Sequence, residues 1–352
     1  MPKKNRPGAP APLKEPTTLA HVAAHAGVSI STVGRVLRGS SLPVAKPVAE
    51  RVRDSAAQLG YVANLAARSL RGVRPAMVGL VVGDMLDPYY GEIAEVVTHM
   101  AESRHGMLAI VCNMQRDPQL ELKYCRQLWE HRVTGLILAG GGFDQHVCRD
   151  ELAALVASMQ SAGLVVATLG PRFLDAPVFS VDNAQAGRLA AEQLLNAGHR
   201  HIGILTGSLR SETARQRHEG ALEALNARRA KVTVRHAEFQ GNSVATAAAS
   251  LLSQSPGVTG ILAGSDHMAR AIINWLGAQG VAVPKDVSVI GTGNNAFAEP
   301  APRLTTIDVH LAECARAALQ SIASGAGGGG AQVRFEAPAP SVVAGATVRT
   351  LG

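Results

Sequence analysis

Residues 18–39 read TLAHVAAHAGVSISTVGRVLRG, and this stretch decides the fold of the N-terminal part of the chain. Its first apolar side chains repeat with the spacing of one helix face: Leu19, Val22, Ala23 and Ala26. Thr18 can cap this helix at its start, and Gly27 ends it. Ser29 can cap a second helix. Two short helices joined by a tight turn that contains glycine are typical of a helix-turn-helix.

The second helix presents different side chains on its two faces. Its predicted inner face is apolar, with Val33, Val36 and Leu37, and its outer face carries Ile30, Ser31, Thr32, Arg35 and Arg38. Hydroxyl groups and helix N-termini suit phosphates, and arginine suits guanine edges in the major groove. A third helix is predicted from Lys46 to Leu59, ended by Gly60. We therefore predict a DNA-binding domain over residues 17–62.

Charge is concentrated in the same part of the chain. Residues 1–74 hold 12 Lys and Arg against 3 Asp and Glu, a net of +9, whereas the rest of the 352 residues carries a net of −2. A basic segment joined to a near-neutral body is typical of a nucleic-acid-binding module. Residues 1–16 are basic and rich in proline without an apolar core segment, so they predict a disordered arm rather than a secretory signal.

The helix-turn-helix segment resembles the signature TLxDVAxxAGVSxxTVSRVLNG of the lac/galactose/purine repressor family of bacterial transcription factors. QLGY at 58–61 and NLAARSL at 64–70 resemble it too. The resemblance implies that Ile30, Ser31 and Arg35 read bases and that Ser29 and Thr32 contact phosphates, with Arg38 beside them. It also implies a hinge helix within the linker 63–74, whose DNA-contacting residues would be Asn64, Ala67, Arg68 and Leu70. Leu70 would wedge between base steps.

The segment also departs from the family pattern. His21 replaces an acidic residue, and Gly34 replaces a serine of the recognition helix. We expect Gly34 to let the backbone approach a phosphate, at the cost of some helix propensity. Ile30 implies an apolar contact, for instance with a thymine methyl group. These departures leave the operator sequence open.

Residues 75–352 alternate buried strand-like runs with helical stretches. Eight strands are predicted: Met77–Val82, Met107–Cys112, Gly135–Ala139, Leu164–Leu169, Ile202–Thr206, Gly260–Ala263, Val287–Gly291 and Thr305–Val309. This alternation predicts two doubly wound parallel α/β subdomains with a ligand cleft at the carboxyl ends of the strands. The family resemblance implies a periplasmic-binding-protein-like sensor with three crossings between subdomains. We place the N-subdomain at about 75–172 and 308–332, and the C-subdomain at about 173–307 and 333–350.

The resemblance also implies an effector site. Arg217 stands where the family's arginine grips effector oxygens, with Thr213 beside it. Tyr89 and Tyr90 can stack on a ligand, although ordinary packing is the alternative. Gly293 and the pair Ser265 and Asp266 replace residues that face ligand in the family, and Arg172 is a candidate additional contact. The family's aspartate at Gly293 is missing, and so is the aspartate of the family's Asp-Arg, which reads Gly170-Pro171-Arg172 here. Because such carboxylates bind sugar hydroxyls, we expect an anionic effector, such as a sugar acid or another small carboxylate.

Other classes of protein are disfavoured. GTGNNA at 291–296 mimics a dinucleotide fingerprint, but Pro300 and Pro302 interrupt the helix that should follow. The four cysteines form no metal-like pair, and we expect no metal, cofactor or catalytic residue.

The expected protein is a cytoplasmic, nucleoid-associated homodimer without a membrane segment, bound to a pseudo-palindromic operator. A solute-binding protein and a nicotinamide-dependent oxidoreductase are the competing hypotheses. Whether the effector releases or promotes DNA binding is open.

Overall fold

The structure is a computed structural model that describes residues 17–38, 44–61, 77–140, 148–237, 242–294, 302–325 and 334–352. Its contacts divide the chain into two compact units, Met1–Val73 and Arg74–Gly352. The predicted N-terminal arm and the predicted hinge residues Asn64, Ala67, Arg68 and Leu70 lie outside the described residues. In the described part of the chain, no helix has the length and apolar character needed to span a membrane.

Within residues 17–38 and 44–61, the first unit contains three helices: α1 Leu19–Ala26, α2 Ile30–Arg38 and α3 Lys46–Gln58. They bury one small core of Val22, Ala23, Ala26, Val33, Val52 and Ala56. The Thr18 hydroxyl accepts from the His21 amide, and the His21 ring accepts from the Thr18 amide, which forms a capping box. His21 therefore caps α1 from the position where the family pattern has an acidic residue. Gly27 ends α1 with φ +64°, a left-handed conformation that suits glycine.

The second unit follows the predicted alternation of strands and helices. Its elements are β1 Met77–Val82, α4 Pro88–His105, β2 Leu108–Asn113, α5 Pro118–Glu130, β3 Gly135–Ala139, α6 Arg149–Ser161, β4 Val165–Leu169, β5 Val178–Ser180, α7 Asn183–Asn196, β6 His201–Thr206, α8 Glu212–Ala227, β7 Lys231–His236, α9 Ser243–Gln254, β8 Gly260–Ala263, α10 Asp266–Ala278, β9 Ser288–Ile290, β10 Thr306–Asp308, α11 Leu311–Ala323, β11 Arg334–Glu336 and β12 Ser341–Val343.

Two parallel sheets confirm the predicted pair of α/β subdomains. The N-subdomain sheet has the order β11-β5-β4-β3-β1-β2, and the C-subdomain sheet has the order β7-β6-β8-β9. All their pairings are parallel, whereas β10 and β12 form a separate antiparallel pair. In both sheets the strand order reverses next to the first strand, so the carboxyl ends of the strands border a crevice.

The pairing corrects two predicted subdomain boundaries. Val178–Ser180 and Arg334–Glu336 were assigned to the C-subdomain, but both strands belong to the N-subdomain sheet. Thr168 pairs with Val178, and Phe335 pairs with Phe179, so the apolar faces of these strands complete the core of the first sheet. The chain therefore leaves the N-subdomain after Ser180 and again after Glu336, rather than near 172 and 332.

Candidate functional site

The predicted DNA-reading face of α2 carries hydroxyl groups at the start of the helix. The Thr32 amide donates to the Ser29 Oγ at 3.2 Å, so Ser29 caps the helix as predicted. The Ser29 Oγ also lies 2.8 Å from both the Ser31 and the Thr32 hydroxyls. The Ile30 side chain is 53% exposed, which is unusual for a large aliphatic residue. This end of α2 therefore presents hydroxyls and one apolar side chain to a partner.

The other predicted DNA contacts of α2 differ in how far they are buried. Arg35 is half-buried, and the Arg38 side chain lies outside the described residues. Gly34 is buried, so the expectation that its backbone approaches a phosphate is corrected.

A cleft of about 610 Å³, its open mouth included, lies at the carboxyl ends of the strands of the second unit. Its N-subdomain wall consists of Asp87, Tyr89, Tyr90 and Arg116. Its C-subdomain wall consists of Thr206, Gly207, Ser211, Thr213, Ala214, Arg217, Gly264, Ser265 and Thr292. Five residues singled out in the sequence are therefore brought together here: Tyr89, Tyr90, Thr213, Arg217 and Ser265.

Arg217 is the most constrained side chain of the cleft. Its Nε donates to the Asn183 Oδ1 at 2.9 Å, and its Nη1 donates to the Gly264 carbonyl at 2.9 Å. The residue is 6% exposed, and its Nη2 has no hydrogen-bond partner among the residues that the structure describes. Burial lowers the pKa of the guanidinium. An oxygen acceptor from a ligand would satisfy the remaining nitrogen.

Close helix packing positions Arg217. At Gly187 of α7 an added Cβ would lie 1.9 Å from the Arg217 carbonyl oxygen, and at Gly220 of α8 one would lie 2.0 Å from the Ala184 carbonyl oxygen. Both obstacles are backbone atoms, so only glycine permits this approach. The two helices thereby fix Arg217 against Asn183, which begins α7.

The start of α8 contributes further donors to the C-subdomain wall. Ser211 is the N-cap residue but makes no side-chain capping hydrogen bond with the described residues. First-turn amides of a helix lack intrahelical partners and carry partial positive charge. Ser211 and Thr213 line the cleft at this point. Glu212 is turned to Arg215 and Gln216, at 2.5 and 2.8 Å. The wall is therefore suited to an anionic group.

The N-subdomain wall combines aromatic rings with an ion-pair cluster. The Arg116 Nη2 donates to the Asp87 Oδ2 at 3.2 Å, and its Nε lies 3.7 Å from the Asp84 Oδ2. Burial raises the pKa of Asp87 and raises that of Tyr90 to about 12. The rings of Tyr89 and Tyr90 meet edge to face, with centroids 5.0 Å apart. At Gly83 an added Cβ would meet the Tyr90 hydroxyl at 2.4 Å, so this ring is seated against β1.

Three predicted effector residues do not line the cleft. The Arg172 Nη1 donates to the Glu121 carboxylate at 2.6 Å, and both side chains are buried inside the N-subdomain. Asp266 is buried and accepts from the Thr306 hydroxyl at 2.5 Å. The Gly293 amide donates to the Ile307 carbonyl at 2.8 Å. These residues connect elements of the fold, so their assignment as ligand contacts is corrected.

Sequence reasoning missed eight lining residues: Asp87, Arg116, Thr206, Gly207, Ser211, Ala214, Gly264 and Thr292. Several come directly after a strand, where the general rule for open α/β sheets places ligands. Asp87 and Arg116 lie in the loops after β1 and β2, whereas Thr206, Gly264 and Thr292 end or follow β6, β8 and β9. A survey of every residue that follows a strand would have found most of them.

Comparison with protein families gives two matches. The family described as bacterial regulatory proteins, lacI family, matches residues 18–64, and the periplasmic binding protein-like domain matches residues 191–348. The first covers the helix-turn-helix, and the second covers most of the C-subdomain and the last two crossings between subdomains.

Solved structures share the fold. A LacI-family transcriptional regulator from Silicibacter pomeroyi superposes with a TM-score of 0.80 at 24% identity, covering 95% of this chain and 100% of the other. The lac repressor dimer bound to operator and the anti-inducer ONPF gives 0.78 at 23% identity, with the same coverage. The CelR–cellobiose complex gives 0.64 at 27% identity, covering 94% and 99%.

The solved structures show the fold, and the relatives in sequence identify the family. The transcriptional regulator DegA of Bacillus subtilis (strain 168) is 31% identical over 297 residues, which are 83% of this chain and 86% of DegA. The transcriptional repressor PurR of Haemophilus influenzae (strain PittEE) is 32% identical over 296 residues, 82% and 85% of the two chains. The chain is therefore a DNA-binding transcriptional regulator and belongs to the lacI family of bacterial regulatory proteins.

Proposed function

We propose that the protein binds a pseudo-palindromic operator as a homodimer in the cytoplasm and is controlled by a small anionic molecule, a sugar acid or another small carboxylate, held in the cleft without catalysis. The observation that carries the effector class is the buried Arg217, whose Nη2 lacks a partner among the described residues. A buried guanidinium nitrogen is costly unless it is hydrogen-bonded, and a carboxylate is its best partner.

The start of α2 supports the DNA-binding part of the proposal. Ser29, Ser31 and Thr32 place hydroxyls at a helix N-terminus, where phosphates bind, and Ile30 offers an apolar contact to a base edge. The lac repressor, which shares the fold, binds its operator as a dimer. A homodimer of this chain would place two such helices on half-sites roughly one helical turn apart, about 10 base pairs.

The C-subdomain wall supports the effector class. Arg217 and the uncapped start of α8 both favour negative charge, and Ser211, Thr213 and Ser265 supply hydroxyls around them. A carboxylate forms a stronger, charge-assisted hydrogen bond with the Arg217 Nη2 than a neutral hydroxyl group does. The alternative of a neutral sugar is represented by the CelR–cellobiose complex, and the ligand screen below separates the two.

In this proposal, effector binding is coupled to operator binding because the effector shifts the protein between two conformations. An effector that binds both subdomains favours the closed cleft, and it alters operator affinity only by the ratio of its affinities for the two conformations. Preference for the DNA-binding conformation promotes operator binding, and preference for the other one releases DNA. The sign is read directly from a titration of the operator complex with the effector.

The effector class is tested by a thermal-shift screen of sugars, sugar acids, simple carboxylates and nucleobases, because a ligand of the native state raises its melting temperature. Hits are measured by calorimetry. We expect acids to bind and their neutral counterparts not to bind. Tight binding of a neutral sugar, with no acid bound, would overturn the anionic effector.

The DNA reader is tested on an operator selected from random duplexes. Arg35→Ala should cost about 1–3 kcal/mol of discrimination against altered operators, with a smaller effect on nonspecific binding. Glu50→Gln, an exposed position on α3, is the matched control. Unchanged discrimination in the Arg35 variant would remove this residue from the base-reading set.

A further inference from the structure

Arg116 reaches the cleft through a tightly specified loop after β2. Its amide donates to the Gly83 carbonyl at 2.8 Å, which fastens the loop to the end of β1. Arg116 and Gln115 both have positive φ, +58° and +52°, which is uncommon for residues other than glycine. The Asn113 Oδ1 accepts from the amides of Met85 and Gln115 at 3.4 and 3.2 Å. Such backbone conformations persist where the surrounding structure over-determines them, and they cluster at ligand sites.

The Arg116 side chain contacts two carboxylates. It contacts Asp87 at 3.2 Å and Asp84 at 3.7 Å, and it keeps 25% of its side-chain surface exposed at the cleft. Asp87 is held in turn, because its Oδ1 accepts from the Tyr89 amide at 3.1 Å. The guanidinium and the Asp87 carboxylate therefore present fixed donors and acceptors side by side.

The two walls of the cleft differ in charge. On the C-subdomain wall, Arg217 and the start of α8 present positive charge to the cleft, whereas the buried Asp266 carboxylate, which attracts Arg217, does not line it. On the N-subdomain side, two carboxylates against one guanidinium leave a net negative charge. A ligand with carboxylates at both ends would meet attraction at one wall and repulsion at the other. A hydroxyl group, which donates to a carboxylate and accepts from a guanidinium, matches the N-subdomain wall.

We propose that Arg116 and Asp87 read the hydroxyls of a polyhydroxy monocarboxylate whose carboxylate is bound by Arg217 and the start of α8. Arg116 is then the specificity residue that separates sugar acids from simple carboxylates and from dicarboxylates. The inference rests on the proposed anionic effector and deepens it, because it fixes the chemistry of both ends of the ligand and its direction in the cleft.

The ligand class is tested with four matched groups of probes in calorimetry. They are polyhydroxy monocarboxylates (gluconate, galactonate, glucuronate, galacturonate), their alditols, hexanoate, and the dicarboxylates glucarate and galactarate. We expect one of the first group to bind at least tenfold more tightly than every member of the others. A dicarboxylate, hexanoate or an alditol that binds as tightly as the best polyhydroxy acid would overturn the proposal, as would absence of binding by the whole first group.

The role of Arg116 is tested by removing one ligand hydroxyl at a time. In the unaltered protein, at least one single-deoxy analogue of the best acid should bind tenfold more weakly than its parent. In Arg116→Gln the same deletion should cost less than twofold, and Asp87→Asn, which can still cap α4, should act in the same direction. Arg126→Gln, which breaks an exposed ion pair between α5 and Glu151 of α6, should leave the tenfold ratio unchanged.

The outcomes separate the two proposals. If acids bind and Arg217→Gln abolishes their binding, but the deoxy ratio is the same with and without Arg116, the anionic effector stands and the inference about Arg116 is wrong. If no acid binds to the folded protein, the anionic effector fails and the inference falls with it. Unaltered melting temperatures of the unliganded variants establish that they are folded.

Discussion

At the scale of single residues, the pair Glu121–Arg172 shows a buried charge that the fold, rather than a ligand, neutralises. Only 5% of the Arg172 and 6% of the Glu121 side chain is exposed, and their charged atoms are 2.6 Å apart. Glu121→Gln leaves the guanidinium buried without a counter-charge, so we expect a loss of about 3–5 kcal/mol in the free energy of unfolding. Urea unfolding measures it.

Arg126 and Glu151 form the matched surface pair for this prediction. Their side chains are 54% and 65% exposed, with the charged atoms 3.5 Å apart. Because water screens such a pair, Arg126→Gln should change the free energy of unfolding by less than about 1 kcal/mol. Equal losses in the two variants would show that burial does not decide the strength of the Glu121–Arg172 interaction.

Arg172 and Arg116 show which properties of the site cannot be predicted from the sequence. Arg172 follows β4, where a ligand contact was expected, but its partner Glu121 lies 51 residues earlier, and no local pattern reveals such a pairing. Arg116 follows β2 in no recognisable motif, and only the fold brings it to Asp84 and Asp87. Arg217 was found because it stands within a family motif on a helix, where sequence spacing does fix position.

At the scale of elements, the contact between α7 and α8 is a backbone contact. Gly187→Ala would place a methyl group 1.9 Å from the Arg217 carbonyl, which no side-chain rotation can relieve. We expect a loss of at least about 1–3 kcal/mol of stability and weaker binding of any ligand held by Arg217. Gly277→Ala on α10 is the control, because nothing lies within 4 Å of the added Cβ, and it should stabilise the protein by about 0.5–1 kcal/mol. Unchanged stability of the Gly187→Ala variant would contradict the close approach of α7 and α8.

The C-terminal segment is attached to the C-subdomain through His199, whose side chain is fully buried. The ring lies 2.9 Å from the Thr259 hydroxyl and 3.2 Å from the Arg349 carbonyl. Burial lowers the pKa of His199, so the folded state favours the neutral ring. Its contribution to stability is present above the ordinary pKa near 6.5 and is lost as the pH falls below it.

The expected outcome is a stability difference that depends on pH. Between pH 7 and pH 5 the unaltered protein should lose more free energy of unfolding than His199→Asn, which cannot titrate. Comparing the two proteins removes the contributions of His201 and His218, whose pKa values burial also lowers. Parallel losses in urea unfolding would show that His199 does not take up a proton on unfolding in this range.

The strands differ in how far periodicity could reveal them. Buried central strands such as β3 and β8 are continuous apolar runs, and their predicted bounds match the structure. β7 reads KVTVRH, an edge strand that alternates polar and apolar residues, and a search for continuous runs missed it. β5, β11 and β12 have three residues each, too few for any period, and their pairing depends on the rest of the sheet.

At the scale of the whole molecule, DNA binding and effector binding are assigned to separate units. The basic segment carries a net of +9, while the unit that contains the cleft is near neutral. Operator affinity should therefore fall steeply with salt through release of counterions, whereas binding of a monocarboxylate in the half-enclosed cleft should fall much less. Anisotropy and calorimetry between 50 and 200 mM salt compare the two, and equally steep salt dependences would contradict the separation.

Regulation requires that the two units be thermodynamically linked. If the effector alters operator affinity by some factor, bound operator must alter effector affinity by the same factor, because both describe one coupling free energy. We expect a common factor of roughly 5–150, corresponding to the usual 1–3 kcal/mol of allosteric coupling. Arg217→Gln should abolish the effect of the acid on operator binding while leaving operator affinity without effector unchanged, since Arg217 lies in the second unit. The first factor is measured by operator titrations with and without a saturating acid, and the second by acid titrations with and without operator. A factor of one in both would show that the cleft does not regulate DNA binding.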